Sequence, residues 1–305
     1  MVTIMIMIKK PKSKSSLIYE TTYNQEITLT ISNYLKQSTT LSGRNLRQYF
    51  FKGLVHLNHK KAHSQAKLKN GDLIQVFKPS GERQTLTPEK MLLDIVYENT
   101  DLLVINKPAR LAVHPSGKIT SGTLANGIAA YFEKTGLKIK VRPVNRLDYG
   151  TSGLVIFAKN AATQTALTEA IQKHAIKRIY YAVVQRIPDS KTGTVKLPII
   201  EANGKRKVGS QGQPAVTHYQ VINQYKSGAL LELDIETGRT HQIRVHLSHI
   251  GHPILGDNQY GNPSSLINRP ALHAGKLNFD ASNFQIPELT APFPEDYNRL
   301  LVSLQ

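Results

Sequence analysis

The segment from residue 146 to residue 158 reads RLDYGTSGLVIFA, a charged, glycine-containing loop that runs directly into an apolar stretch. Such a stretch after turn residues predicts a buried strand. The hydroxyl groups of Thr151 and Ser152 can hydrogen-bond the loop backbone and hold its shape. The acidic side chain of Asp148, on a loop beside a buried strand, is expected at the rim of a cleft. From this segment alone, Asp148 is either a functional carboxylate or an Asp that caps a turn.

Further strands and helices are predicted on both sides of this segment. Apolar runs predict strands at residues 95–97, 102–107, 179–184, 216–221 and 230–235. Helical spacing of apolar residues occurs at residues 123–132, 161–174 and 241–250. Strands and helices interleave without a strict βαβ rhythm, so the predicted fold class is α+β rather than a doubly wound parallel sheet.

The positive charge is concentrated in the first quarter of the chain. The 305 residues include 39 Lys and Arg against 21 Asp and Glu, a net charge of +18, of which +10 lies in residues 1–80. A length of 305 residues suggests two domains. Pro79-Ser80-Gly81 marks a plausible boundary after a small basic α/β module with helices at 27–35 and 46–51 and strands at 54–57 and 73–77. An excess of this size favours a polyanionic partner.

Several classes of protein are excluded by what the sequence lacks. The chain has no Cys, which excludes disulfides, thiol nucleophiles and thiolate metal sites. It also lacks an apolar run long enough to span a membrane, and the apolar start, Met1 to Ile8, is too short for a signal sequence. We therefore expect a cytoplasmic protein without a membrane partner.

Cofactor motifs are also missing. No Walker A loop, G-x-G-x-x-G fingerprint or G-x-S-x-G elbow occurs, and nothing in the sequence recruits an organic cofactor. His246, His249 and His252 are spaced at i, i+3 and i+6, and so raise the question of zinc. No H-E-x-x-H pattern accompanies them, so histidines packed against a sheet are the favoured interpretation and no metal is predicted.

Two more segments carry side chains that could bind a ligand. Residues 237–246 crowd Arg239, His241 and Arg244 around a glycine turn, and either arginine can bind phosphate or pair with a carboxylate. The predicted strand at 179–184 holds Tyr180 and Tyr181, whose side chains face opposite sides of a sheet. Two structural tyrosines are the simpler interpretation of this strand, whereas a nucleic-acid substrate would use one of them for base stacking.

Taken in order, these segments resemble the RluA-type pseudouridine synthases, which isomerise uridine in structural RNA. The resemblance runs from about residue 90 to the C-terminus. It is carried by Asn106-Lys107-Pro108 with Val113-His114-Pro115, Arg146-Leu147-Asp148 with Thr151-Ser152-Gly153, Arg178-x-Tyr180-x-Ala182, the segments 238–246 and 251–257, and Leu272-His273-Ala274. It implies an α+β catalytic domain at residues 81–305, with a mainly antiparallel mixed sheet and a central cleft. Residues 15–80 resemble, more loosely, the small S-four-type RNA-binding domain that often precedes such enzymes.

The resemblance also implies roles for individual residues. Asp148 would be the catalytic aspartate, Tyr180 would stack on the flipped base, and Arg244 would pair with Asp148 and keep it ionised. Arg146 would enter the RNA where the uridine leaves. Further substrate contacts are predicted from charged residues in both domains: Lys107, Arg239, His241, Arg44, Arg47, Lys52, Lys60 and Lys61.

The chain departs from the usual family pattern at several positions. Asn145 stands where His is common, Arg110 where Gly is usual, Tyr149-Gly150 where a more polar pair is frequent, and Ala281-Ser282 where His-Pro is frequent. Asp257, in Leu255-Gly256-Asp257-Asn258, is interpreted as a turn residue with a structural role.

The expected function is isomerisation of specific uridines in large-subunit ribosomal RNA or its precursor particles, by a monomer. A transfer RNA substrate and a non-catalytic RNA-binding or ribosome-assembly protein are the alternatives. The way in which Asp148 attacks stays open: at the base, at the sugar carbon, or as a base on the ribose.

Overall fold

The computed structural model describes residues 17–39, 41, 43–77, 85–117, 119–282 and 284–305, without the side chain of Arg44. The segments Met1–Ile8 and Pro79–Gly81, on which two of the expectations rest, lie outside the described residues. The chain divides into two compact units, Met1–Arg83 and Gln84–Gln305. The S-four-like and catalytic assignments of residues 15–80 and 81–305 stay predictions.

The first unit is a small antiparallel sheet with two helices. Its elements are β1 (Leu17–Thr22), α1 (Ile31–Ser38), α2 (Gly43–Phe51), β2 (Val55–Leu57), β3 (Lys60–Lys61) and β4 (Leu73–Phe77), with the sheet order β1-β4-β2-β3. Helix α1 begins at Ile31, later than the predicted residue 27, because the side chain of Thr30 accepts a hydrogen bond from the amide of Asn33 at 3.3 Å and so caps the helix there. The buried side chains of Ile31, Leu46 and Ile74 join helices and sheet in one core.

The second unit contains the remaining elements. They are β5 (Ile95–Glu98), β6 (Leu102–Lys107), α3 (Leu124–Lys134), β7 (Arg142–Pro143), β8 (Ser152–Ala158), α4 (Ala161–Gln172), β9 (Ile176–Gln185), β10 (Thr192–Lys196), β11 (Ile199–Ala202), β12 (Lys205–Val208), β13 (Val216–Tyr225), β14 (Gly228–Ile235), α5 (Gln242–His249), β15 (Leu272–Phe279), β16 (Leu289–Thr290) and α6 (Glu295–Ser303).

One large mixed sheet organises this unit. Its main path follows the order β10-β13-β14-β9-β15-β8-β6-β5, with β16 paired to β15, β7 paired to β8, and β11 and β12 forming a separate pair. Among these pairings in the described residues, only β8 with β15 is parallel. The predicted α+β class and the mainly antiparallel sheet are therefore confirmed. The helices of the described residues are too short or too polar to traverse a lipid bilayer.

Strands β6 and β8 are buried on both faces. Leu103 and Ile105 of β6 pack in the core that contains α3, whereas Leu102 and Val104 pack with Leu167 of α4 on the other side. Neighbouring residues of a strand face opposite sides, so two covered faces require an unbroken apolar run. The sequence predicted both strands for this reason.

A short parallel pairing places the loop of residues 146–151 at the centre of the sheet. Ser152 and Gly153 pair with His273 and Ala274 of β15. Gly153 has a φ of 111°, and a Cβ at this position would lie 2.2 Å from the carbonyl oxygen of Ala274, so the close approach of β15 requires glycine.

His273 stabilises the pairing of β8 with β15 from within the core. Its Nε2 lies 3.1 Å from the carbonyl oxygen of Ala291, and its Nδ1 lies 2.9 Å from the hydroxyl oxygen of Ser152. The carbonyl can only accept, so Nε2 carries the proton and Nδ1 accepts from the hydroxyl. Burial lowers the pKa of His273 to about 4, which keeps the ring neutral near pH 7.

The lowered pKa of His273 predicts that the fold loses stability in acid. In the unfolded chain, the imidazole of His273 is protonated below its ordinary pKa near 6.5. In the folded chain, it stays neutral until about pH 4. The free energy of unfolding should therefore fall with pH across that window, by up to about 3 kcal/mol from this residue. Urea denaturation between pH 7 and pH 4 measures the fall. The variant His273→Gln should lose stability at pH 7 but show a shallower dependence on pH, and an unchanged pH dependence would contradict the assignment.

Candidate active site

A cleft of about 730 Å³ opens where four parts of the second unit meet. They are the loop before β8, strand β9, the loop after β14 and the start of α5. The cleft walls include six of the twelve residues that the sequence predicted for the site: Arg146, Asp148, Tyr180, Arg239, His241 and Arg244.

Asp148 lies in this cleft with its carboxylate partly exposed. Its Oδ2 is 3.4 Å from Nη1 of Arg244 and 4.0 Å from Nε2 of His241. Its Oδ1 has no hydrogen-bond partner in the part of the chain that the structure describes. The carboxylate is thus oriented on one side and open toward the cleft on the other.

Arg244 is held mainly by a second carboxylate. Its Nε and Nη2 donate to Asp257 at 2.7 and 2.8 Å, and Nη2 also lies 3.3 Å from Oε1 of Gln259. The guanidinium carbon lies 4.9 Å from the centre of the Tyr260 ring. Pairing with Asp257 and Asp148 raises the pKa of Arg244 against the opposing effect of burial. The guanidinium therefore keeps its charge beside Asp148.

Asp257 is a residue whose part in the site the sequence did not reveal. Its Oδ1 accepts from the amides of Gln259 and Tyr260 at 3.0 and 3.3 Å, which agrees with the predicted turn. The same fully buried carboxylate also binds Arg244. The segment 251–257 was recognised, but nothing in the local spacing pairs Asp257 with an arginine 13 residues earlier.

Strand β9 supplies the floor of the cleft. Tyr180 is buried and lines the cleft, whereas the hydroxyl of the neighbouring Tyr181 donates to Glu232 at 3.0 Å and its ring packs on Phe293. The predicted opposite orientation of the two tyrosines is confirmed. Burial raises the pKa of Tyr180, nearby Arg178 opposes the rise, and Asp148 adds to it.

Arg178 is a further cleft residue that was not predicted as part of the site. It lies on the same face of β9 as Tyr180, and its Nη2 is 3.3 Å from the carbonyl oxygen of Ile235. A Cβ on Gly238 would be 3.1 Å from its Nη1, so glycine allows the loop after β14 to lie over this guanidinium. Its Nε has no partner among the described residues.

The loop after β14 is fixed by the buried amide of Gln242. Its Oε1 accepts from the hydroxyl of Thr237 at 2.7 Å and from the amide of Arg239 at 3.1 Å, while its Nε2 donates to the carbonyl of Val216 at 2.9 Å. His241 adopts a left-handed φ of 57°, and its Nδ1 lies 2.8 Å from the hydroxyl of Tyr260. Burial lowers the pKa of His241, with the charge of Asp148 acting in the opposite direction.

The two arginines at the rim remain available to a ligand. Arg146 is exposed, with one hydrogen bond of 3.2 Å to the hydroxyl of Thr240. Arg239 is exposed as well, and its Nε donates to the carbonyl of Pro214 at 3.1 Å.

Lys107 is placed differently from the prediction. It is fully buried, and its ammonium donates to the carbonyls of Pro108 and Leu111 at 2.8 and 2.9 Å. Burial lowers the pKa of Lys107 to about 7, although the charge of Asp148 opposes the shift. This ammonium does not reach the cleft surface, so its predicted contact with RNA is replaced by a structural role in the loop after β6.

The hydroxyls of the 146–153 loop also differ from expectation. Ser152 bonds His273 rather than the loop backbone, and the hydroxyl of Thr151 is buried without a hydrogen-bond partner among the described residues. The loop is held instead by Arg269, whose Nη1 lies 3.3 Å from the carbonyl oxygen of Gly150 and whose other nitrogens bind Asp296 of α6 at 2.6 and 2.9 Å.

The predicted contacts of the first unit lie at its surface. Arg47 of α2, Lys52 just after it, and Lys60 and Lys61 of β3 are exposed, and the side chain of Arg44 lies outside the described part of the structure. Their contacts with RNA stay predictions.

One of the three histidines considered for zinc has both ring nitrogens in hydrogen bonds within the fold. His246 is buried, with Nδ1 3.0 Å from the hydroxyl oxygen of Thr217 and Nε2 2.9 Å from the carbonyl oxygen of Leu197. Within the described ranges, no group of three or more His, Cys, Asp or Glu side chains is arranged to hold a metal ion.

Comparison with known proteins agrees with this geometry. Residues 101–249 match the family model described as RNA pseudouridylate synthase. The uncharacterized RNA pseudouridine synthase YhcT of Bacillus subtilis is 40% identical over 252 residues, covering 81% of this chain and 83% of that protein. The ribosomal large subunit pseudouridine synthase D of Neisseria meningitidis is 37% identical over 289 residues, covering 87% of this chain and 75% of that protein.

A solved structure shows the same fold. Human RNA pseudouridylate synthase domain containing 4 is 27% identical, with a TM-score of 0.58 over 69% of this chain and 92% of that one. The chain thus belongs to the RNA pseudouridine synthases, the isomerases that convert uridine in RNA into pseudouridine.

The variant Asp257→Asn tests whether the second carboxylate positions Arg244. Loss of the ion pair leaves a buried guanidinium poorly compensated, which should cost about 3 kcal/mol of stability. The freed guanidinium should move toward Asp148, and kcat should fall by at least about 10-fold with little change in KM.

The control is Glu98→Gln, which breaks the 2.7 Å ion pair with Lys159 outside the cleft. That variant should lose stability without losing kcat. Equal loss of kcat in both folded variants would show that Asp257 acts through general stability alone.

Proposed function

We propose that Asp148 is the catalytic carboxylate of this isomerase and that the target uridine, flipped out of the RNA, enters the cleft beside it. The observation that carries the proposal is the open Oδ1 of Asp148 in a cleft whose other acidic wall residue, Glu236, already pairs with His218 at 2.8 Å. Asp148 is thus the carboxylate that can face the glycosidic bond. The pairing of Arg244 with its Oδ2 stabilises the ionised form electrostatically.

The reaction places few demands on the protein beyond this carboxylate. The bond between N1 of the base and C1′ of the ribose breaks, the base turns, and a bond forms between C5 and C1′. C5 loses a proton and N1 gains one, so the product is an isomer and no oxidant, reductant or energy source is consumed. Attack on the base, attack on the sugar carbon and proton removal from the ribose all require a nucleophilic or basic oxygen where Oδ1 lies.

Tyr180 supports the base by stacking. Base flipping costs a few kcal/mol, and stacking on an aromatic ring returns about 1–3 kcal/mol. Burial raises the pKa of Tyr180, so its hydroxyl is available as a hydrogen-bond donor beside the stacked base.

Arg146 is suited to fill the space that the flipped uridine leaves in the RNA. Its guanidinium is exposed at the rim and is anchored by a single hydrogen bond to Thr240. Arg239, on the adjacent loop, is exposed beside it and suits a phosphate contact.

Large-subunit ribosomal RNA is the proposed substrate. The relative from Neisseria meningitidis that covers 87% of this chain is named for the ribosomal large subunit. The net charge of +18 supports binding to a long polyanion. Transfer RNA is the alternative substrate. The monomeric state and the cytoplasmic location stay predictions.

The first unit is proposed to bind RNA through its exposed cations. Lys60 and Lys61 lie on β3 at the edge of the sheet, and Arg47 and Lys52 lie in or next to α2. Unpaired surface cations of this kind contact phosphates without reading sequence.

The variant Asp148→Asn should abolish pseudouridine formation, because an amide is neither a base nor an anionic nucleophile. The unfolding transition and RNA affinity should change little, since the carboxylate is partly exposed and Arg244 keeps its pair with Asp257. Pseudouridine mapping of large-subunit ribosomal RNA from cells lacking the gene, complemented with wild type or variant, measures the effect. Turnover by the folded variant would overturn the catalytic assignment.

The combined variant Arg47→Gln, Lys60→Gln, Lys61→Gln tests the first unit. If each cation contacts a phosphate, the slope of log affinity against log salt should become shallower by about 2, and affinity should fall at every salt concentration. The control Lys134→Gln, Lys138→Gln, Lys140→Gln removes the same charge from exposed positions of the second unit outside the cleft. Equal slopes for the two triple variants would show that only net charge matters.

A further inference from the structure

A second cavity, of about 350 Å³, adjoins the cleft at Asp148. Asp148, His241 and Arg244 line both cavities, so the catalytic carboxylate stands in the wall between them. The outer walls are formed by polar and aromatic residues that the proposed reaction does not use: Arg110, Tyr149, Asn258 and Asn268. This volume is at the lower end of small-ligand sites, which suits one nucleotide rather than a longer stretch of chain.

Two residues at which the sequence departs from the family pattern meet in this cavity. The amide of Arg110 donates to the carbonyl of Tyr149 at 2.6 Å, so the loop after β6 and the loop bearing Asp148 are joined there. Tyr149 is 55% exposed, so its side chain is accessible to a ligand. Both side chains line the same small cavity.

The backbone of Arg110 adopts a conformation that is uncommon for its residue type. Its φ of 61° lies in the left-handed region, where glycine is favoured and an arginine is strained. Among the described residues, the guanidinium makes one long hydrogen bond, 3.4 Å from Nη2 to the carbonyl oxygen of Asn268, so its other donors are open to a ligand. An exposed arginine beside an exposed tyrosine is a combination suited to phosphate and base together.

We propose that this cavity binds the nucleotide next to the target uridine, with its base stacked on Tyr149 and its phosphate on Arg110. The inference rests on the proposed function, because it takes the uridine to occupy the larger cleft on the Tyr180 side of Asp148. The neighbours of a flipped uridine are attached to it by one phosphate each, so one of them must lie close to the wall that the two cavities share. The side-chain amides of Asn258 and Asn268 present donors and acceptors to the edge of that base.

A consequence is that the enzyme selects uridines whose neighbour can also leave its stack. A target in a loop or bulge meets this requirement, whereas a uridine within a continuous helix does not. Arg110 and Tyr149 thereby act as specificity-determining residues that never touch the reacting atoms.

The test combines protein variants with altered RNA. The probes are three short hairpins that carry the uridine found by mapping: one intact, one abasic on the 5′ side of the target and one abasic on the 3′ side. The variants are Tyr149→Ala, Tyr149→Phe and Arg110→Gly. The change Arg110→Gly relieves the backbone at a left-handed position, so the variant should fold at least as well as wild type.

Arg186→Gly is the matched control for this change. Arg186 is also exposed and also has a positive φ, of 63°, but it lines neither cavity. Its replacement should leave KM unchanged on all three hairpins.

We expect Tyr149→Ala to raise KM for the intact hairpin by about 10-fold with kcat unchanged, and Tyr149→Phe to behave as wild type. For wild type, KM on one of the two abasic hairpins should be about 10-fold higher than on the intact hairpin. For Tyr149→Ala, KM on that abasic hairpin should be no higher than on the intact hairpin, because the stacking contact is already lost. Arg110→Gly should raise KM on all hairpins alike. The proposal would be overturned by an unchanged KM of Tyr149→Ala on the intact hairpin. It would also be overturned if the rise in KM from Tyr149→Ala added to the rise from the abasic site on both abasic hairpins.

Failure of the underlying function is separately visible. If Asp148→Asn retained turnover, the catalytic assignment would fail while the comparison of hairpins still reported whether Tyr149 contacts a neighbouring base. If mapping located the target in transfer RNA, the hairpins would carry that site and the same comparison would apply.

Discussion

The guanidinium of Arg244 lies between two carboxylates, and the geometry of the cleft depends on how it divides its nitrogens. Nε and Nη2 grip Asp257, which leaves Nη1 pointing at Asp148. A planar group with fixed donors can fulfil both tasks at once, whereas the single ammonium of a lysine cannot. Because a buried charge must be paired, Asp257 secures the arginine in the fold and Asp148 remains only loosely bound. The carboxylate that is proposed to be catalytic is thus oriented by Arg244 without being enclosed in a strong ion pair.

The loop that carries Asp148 is supported from segments far away in the chain. Gly153 permits the close approach of β15, His273 binds Ser152 at the end of the loop, and Arg269 binds the carbonyl of Gly150. Arg269 is in turn held by Asp296 on the last helix. The loop is consequently part of the sheet's core packing rather than a mobile connection, which is what a site requiring accurate placement of one carboxylate needs.

The sequence was informative wherever a local pattern carries the information. Burial on both faces explains why β6 and β8 were predicted, and alternation along a strand explains the opposite orientation of Tyr180 and Tyr181. The glycine-containing loop and the buried strand beside Asp148 left its function open, and the catalytic role proposed for it came from the family resemblance. The predicted strands 179–184 and 216–221 are longer in the structure, at 176–185 and 216–225, and α1 begins later than predicted because Thr30 caps it.

The contacts that depend on distant partners were not predictable in this way. Nothing local shows that Asp257 binds Arg244, that Ser152 bonds a histidine 121 residues away, or that Lys107 turns its ammonium onto two carbonyls. A charged residue in a basic protein suggests a ligand contact, yet the fold can use the same charge to satisfy its own backbone. The second cavity likewise exists only because loops around Arg110, Tyr149 and Asn258 converge in space.

The parallel pairing of β8 with β15 has a consequence for the protein during its synthesis. Residues 101–249, which match the family model, contain Asp148, Tyr180 and Arg244, but the supports Asp257, Arg269 and His273 follow later in the chain. A nascent chain that has emerged only to residue 249 therefore carries the reactive groups without the strand and side chains that place them. Contacts of such long sequence separation form late, since the intervening chain must first be closed into a loop. The geometry of the cleft is accordingly completed only when residues 257–273 have joined the sheet.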